Sequence, residues 1–203
     1  MKMLTPIVAA AALALTGGFS GLAPAANNID LVYNGPAVAN TRAAPANVQA
    51  YTDWCAANVA ADPGTVCVPT VQQPVYDMAT GQKKGHVYIW GAFPFHSGPT
   101  FTGSICFSEF MVFALEQGDL HVHSGPNGTC GAGIDPALKA PKPGADYIIA
   151  GGGDGVIAGG TGKYKNWTGT FTDRVFVGFS FNPAVGVGGI VYYDQLLFSI
   201  SGK

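Results

Sequence analysis

The 203-residue chain is poor in charge. Asp, Glu, Lys and Arg make up 11 % of it, against roughly 25 % in an ordinary globular domain. Scarce Glu and Lys beside 29 glycines exclude long solvent-facing helices and coiled coils. There is no basic excess, with 10 Lys and Arg against 12 Asp and Glu. No nucleic-acid partner is therefore expected. Beyond the N-terminus no apolar run reaches the roughly 18 residues of a membrane-spanning helix, so no span is expected in the mature chain. No two of the four cysteines have C-x₂₋₄-C spacing, which argues against a structural zinc site. What the chain does have is 48 % hydrophobic and 11 % aromatic residues, enough to exclude disorder. Aromatics with abundant glycine predict strands joined by tight turns.

The N-terminus reads as an export signal over residues 1–25. Lys2 supplies the positive start, and Ile7 to Leu15 forms a short apolar run. Ala23-Pro24-Ala25 offers small residues for cleavage after Ala25. The alternative, a retained anchor, is opposed by Gly17, Gly18, Gly21 and Pro24. Export implies a secreted or periplasmic location and an oxidising compartment. Cys55, Cys67, Cys106 and Cys130 then allow three pairings. Sequential pairs close the shortest loops, which favours Cys55–Cys67 and Cys106–Cys130.

Residues 26–70 differ from the rest of the chain, being rich in Ala, Asn and Pro. They read as an extension holding one short helix from Val48 to Ala60, capped by Asn47. Val48, Tyr51, Cys55 and Val59 would share its inner face. Residues 71–203 carry strand patterns at Pro74–Ala79, His86–Phe93, Phe101–Leu115 and Leu120–Ser124. A Gly/Pro-rich loop over 125–145 is followed by short strands at Tyr147–Ala150 and Val156–Ala158, then Trp167–Phe181 and Gly189–Ser201. About eight antiparallel strands with no helix between them predict an all-β fold, a single sandwich or barrel. Val87, Ile89 and Phe93 alternate with Tyr88 and Trp90, so this strand is apolar on both faces. A filled barrel that also packs into an oligomer would account for that.

Gly153-Asp154-Gly155-Val156-Ile157-Ala158 matches a dinucleotide fingerprint on paper, but Gly159-Gly160-Thr161-Gly162 comes next and no helix can open there. Gly162-Lys163 lacks the upstream Gly and the following Ser or Thr of a P-loop. Gly159, Gly160, Thr161 and Gly162 read instead as a structural turn between strands.

Ile157-Ala158-Gly159-Gly160-Thr161-Gly162-Lys163-Tyr164, followed by Gly169-Thr170-Phe171, resembles the I-x-G-G-T-G-x-[FY] signature of the allene oxide cyclase/dirigent superfamily. The hairpin from Val75-Tyr76-Asp77 through Gly81 and Gly85, and Gly118-Asp119-Leu120, are similar to other strands of that family. The resemblance spans about residues 71–203. The chain departs at Asn166-Trp167-Thr168, where many relatives read G-A-R, so no role of that Arg carries over. The resemblance implies an eight-stranded antiparallel barrel, often a homotrimer, with an apolar cavity. It implies steering of cyclisation or radical coupling of small hydrophobic molecules without a cofactor.

Three acids interrupt apolar rows of alternate residues. Glu109 stands among Phe101, Gly103, Ile105, Phe107, Met111, Phe113 and Leu115. Asp173 stands among Gly169, Phe171, Val175, Val177, Phe179 and Phe181, and Asp194 among Ile190, Tyr192, Leu196, Phe198 and Ile200. Residues two apart share a face of a strand. If these rows line the interior, all three carboxyls are desolvated and suited to general acid–base catalysis. The competing readings are a β-bulge that flips an acid outward, a position at the rim, or pairing with Arg174 or a lysine. His121 and His123 also share a face and would offer two metal ligands, but no third is visible, so no metal is expected.

These observations predict an exported, hydrophobic-small-molecule-binding barrel with Glu109, Asp173 and Asp194 as catalytic candidates and no cofactor. The alternative is a non-catalytic carrier or a structural or interaction barrel.

Overall fold

The computed structural model describes residues 27–94, 104–134, 147–180 and 190–203. The predicted signal segment 1–25 lies outside the described residues, as do Phe101, Gly103 and Phe181. The side chains of Ile105, Phe179, Ile190 and Tyr192 also lie outside them.

Eight strands close a barrel in the order β1 to β8. They are β1 Asn27–Pro36, β2 Thr65–Asp77, β3 Lys83–Pro94, β4 Ser104–Leu115, β5 Gly118–Ile134, β6 Tyr147–Gly160, β7 Gly169–Ser180 and β8 Ile190–Gly202. The helix α1, Gln49–Ala61, lies between β1 and β2. Every neighbouring pair is antiparallel, and β1 closes the barrel on β8 from Asn27↔Gly202 to Pro36↔Tyr193. The all-β barrel expected from the sequence is therefore present.

Its strands are not quite those expected. β1 falls inside the segment read as an extension, so the barrel begins at Asn27 rather than at residue 71. Its Leu31 and Tyr33 point inward with the period of two, a pattern that the Asn- and Pro-rich surroundings conceal. The two short strands expected at 147–150 and 156–158 are one strand, β6. Glycine at 151, 152, 153 and 155 does not break it, because β5 and β7 pair with it on both sides. A Cβ at Gly151 would collide with the Cys130 carbonyl oxygen, so close strand approach requires glycine there. β5 likewise runs on to Ile134 through the segment expected as a loop.

The lower interior is apolar. Phe113 meets Phe198 edge-on at 5.0 Å, among Leu31, Val75, Val87, Met111, Leu120, Val122 and Phe171. Tyr164 and Trp167, edge to face at 4.9 Å, plug that end. Gly159, Gly160, Thr161 and Gly162 place this plug. They do not form a tight turn between strands, because a 3-10 turn, Gly162–Tyr164, intervenes before β7. Thr161 instead binds the β4–β5 hairpin: its N–H donates to Asp119 O and its Oγ1 accepts from Asp119 N–H, both at 2.8 Å. Gly162 takes φ 53°, and a Cβ there would collide with Gln117 O.

A second core lies outside the barrel. Trp90, Ala92, Phe110 and Val112 project outward from β3 and β4 and are covered by Trp54 of α1, with Val48, Tyr51 and Cys55 at its margin. The outward apolar row is thus buried by the chain's own helix. Val59, expected on the inner face, is exposed, while Trp54 and Asn58 are buried. The N-cap is Val48, with no side-chain cap, rather than Asn47. Cys55–Cys67 fastens α1 to β2, and Cys106–Cys130 joins directly paired positions of β4 and β5. Both favoured pairings are present, and they are compatible with an oxidising location.

Candidate functional site

Glu109, Asp173 and Asp194 all point into the barrel, at 6 %, 0 % and 1 % exposure. They come from three strands, β4, β7 and β8. The alternation that buries Met111 and Phe113 also turns Glu109 inward. A register irregularity does fall beside it, between Phe107 and Phe110. The extra residues lie on β5, where 124–129 bulge opposite 107–110, so β4 keeps its alternation. That bulge brings Ser124 and Thr129 onto the acid. Thr129 Oγ1 donates to Glu109 Oε2 at 3.1 Å, and the Glu109 N–H donates to Ser124 Oγ at 2.8 Å.

Gly91 is the β3 partner of Glu109, and a Cβ there would collide with the Phe93 ring. The missing side chain admits Phe93, which stacks on Phe107 at 4.9 Å one inward position beyond Glu109. Gly153 plays the same part beside Asp173, its partner on β7; a Cβ would lie 2.5 Å from Thr129 Oγ1.

Asp194 accepts a hydrogen bond from Gln73 Nε2 at 2.5 Å. Gln73, on β2, is fully buried, and its Oε1 has no hydrogen-bond partner among the described residues. Neither carboxyl oxygen of Asp173 has a side-chain partner either; the Gly153 N–H faces that carboxyl from the paired strand. Arg174 does not neutralise Asp173. Its side chain turns outward, lies 3.7 Å from Asp154, and donates to the backbone oxygens of Asp173 (2.5 Å) and Gly153 (3.3 Å).

Burial therefore dominates the electrostatics. It holds the Glu109 carboxyl well above the usual carboxylate range; the Asp173 and Asp194 charges add to the effect and the Thr129 hydroxyl opposes it. Burial pushes Asp173 up to about 6, against the pull of the Gly153 N–H and the Arg174 charge. It pushes Asp194 up to about 6 as well, opposed by Gln73. Groups that titrate there can both give and take a proton near neutral pH.

Three contributors escaped the sequence reading. Gln73 was legible as the position two before the inward Val75. Ser124 was legible as the position two after the inward Val122; Thr129 was not, because its inward turn depends on the β5 bulge. His121 and His123 lie on the outer face, against the Phe110 ring at 6.3 and 6.4 Å. His121 is buried there, and burial lowers its pKa. Among the described residues no group of three His, Cys, Asp or Glu is placed to hold a metal ion.

A cleft of about 870 Å³ opens at the other end of the barrel, lined by Asp77, Lys84, Glu116, Lys163, Tyr164 and Trp167 among others. None of the three inward acids lines it. Its walls mix charges of both signs, whereas the interior cluster holds acids alone. No helix among the described residues is long and apolar enough to cross a membrane. No protein-family model, curated protein or solved structure matches this chain.

Proposed function

We propose that the chain is an exported barrel that binds a small, largely hydrophobic molecule and catalyses a cofactor-free isomerisation or cyclisation on it. One observation carries this reading: three carboxyls from three strands lie inside one barrel, with pKa values raised by burial. A protonated carboxyl would polarise an oxygen of the ligand while an ionised neighbour removed a proton, leaving no net redox change. Ile89, Leu196 and the Phe93–Phe107 pair would fold the ligand against the acids. The resemblance to the allene oxide cyclase/dirigent superfamily supports the same chemistry. Lys2, the apolar run to Leu15 and Ala23-Pro24-Ala25 support export, as do the two disulfides.

The packing of Phe113, Phe171 and Phe198 favours a second reading, a non-catalytic carrier or structural barrel, because it fills the lower interior. Mass spectrometry of molecules that co-purify with the natively exported protein separates the two. The catalytic reading expects a bound compound that the wild type converts, and slower conversion in Glu109→Gln, Asp173→Asn and Asp194→Asn. Conversion unaffected by all three substitutions removes the mechanism. A compound that is bound and never converted makes the protein a carrier.

A further inference from the structure

We infer that the interior site takes a ligand carrying a protonated amine, its ammonium group directed at Gln73 Oε1 beside the Asp194 carboxyl. This rests on the reading of the interior as a ligand site and names the chemical class of its occupant.

Hydrogen-bond supply sets that class. Gln73 Oε1 is a buried acceptor without a partner among the described residues. The amide's own donor is engaged, Gln73 Nε2 donating to Asp194. Arg174, the nearest cation in sequence, faces out toward Asp154. A buried acceptor left unpaired is costly. A protonated Asp194 could itself donate to Gln73 Oε1, but once Asp194 is ionised it has no proton to give and the amide oxygen needs a donor from elsewhere. The site therefore has a surplus of acceptors, and its complement is a group rich in donors. The hydrogen bond from Gln73 Nε2 holds Asp194 next to the unpaired amide oxygen, where its negative charge would attract a cation.

A single metal ion does not fit this geometry. Asp173 pairs with Phe198 and Asp194 with Val177, so the two acids stand four register positions apart on adjacent strands, about 13 Å along the strand direction. No three ligating side chains among the described residues converge on one point. An ammonium on an organic scaffold supplies three donors and no acceptor. A neutral hydroxyl brings one donor with further acceptor capacity, and a carboxylate brings acceptors alone.

The test uses the full exported chain with benzylammonium, benzyl alcohol and benzoate as probes, by titration calorimetry at matched ionic strength. Benzylammonium is expected to bind at least roughly tenfold more tightly than the alcohol, and benzoate most weakly. Gln73→Met and Asp194→Asn are each expected to weaken the ammonium by roughly tenfold. Gln73→Lys would supply an ammonium in cis beside Asp194, so it is expected to raise the melting temperature and exclude the probe, which misfolding cannot imitate. Equal binding of alcohol and ammonium, or ammonium binding indifferent to all three substitutions, overturns the proposal. If the alcohol or benzoate binds and the substitutions abolish it, the amine assignment fails while the interior site stands. If no probe binds, both fail.

Discussion

Replacing Asp173 by asparagine should make the protein more stable at neutral pH, and by less at acid pH. The folded chain holds the Asp173 proton up to about 6, whereas the ordinary carboxyl loses it near 3.8. Between those values the folded state binds the proton and the unfolded state does not. Stability contributed by the protonated form is therefore lost as pH rises through that window. Ionising the buried carboxyl costs the folded state about 3 kcal/mol at about pH 7.5, and about 1 kcal/mol remains at about pH 4.5. Asparagine is neutral at both. The variant-minus-wild-type difference should thus grow by about 2 kcal/mol across this range. Taking the difference removes His121, whose lowered pKa acts oppositely and costs stability as pH falls. Urea unfolding at four pH values, with both disulfides intact, gives the numbers. A difference that does not change with pH refutes the reasoning. A variant that is less favourable at high pH than at low pH would mean that a cation pairs with Asp173.

Other parts of the structure make equally direct predictions. Phe198→Ala removes the edge-on partner of Phe113 in the lower interior and should cost about 3–5 kcal/mol in urea unfolding. Replacing Cys55 and Cys67 by serine should cost about 3 kcal/mol and free α1. Trp54 and Trp90 should then shift to the red while the strand signal in circular dichroism persists; unchanged fluorescence would show that α1 stays docked without the bond. Gly162→Ala should destabilise by about 1–3 kcal/mol, because its φ is 53° and Gln117 O stands where the Cβ must go. Thr129→Val removes a hydrogen bond that favours ionised Glu109, so the Glu109 carboxyl should titrate at still higher pH in carboxyl-detected NMR.

Alternation along a strand is a local property, and the amino-acid order alone carried what depends on it. Met111, Phe113, Phe171, Phe198 and Ile200 were legible as one set of inward faces, and Glu109, Asp173 and Asp194 as the acids within them. The cysteine pairing was legible because short loops close most easily. β1 was not, since its few apolar residues stand among Asn, Asp and Pro and acquire meaning only when β8 pairs along their whole length. α1 showed its existence but not its buried side, because the face it hides is chosen by Trp90 and Phe110 on distant strands.

The low charge of the chain determined that any acid in an apolar row would stand out. Only the closed barrel decided that three such rows face one another, and that Arg174 turns away from Asp173. Gln73 reaches Asp194 across 121 positions of sequence, and Thr129 reaches Glu109 through a bulge whose register no local pattern encodes. Side-chain period is set within a strand, whereas register and closure are set between strands. The acids could therefore be read from the sequence, and their shared, acceptor-rich environment only from the fold.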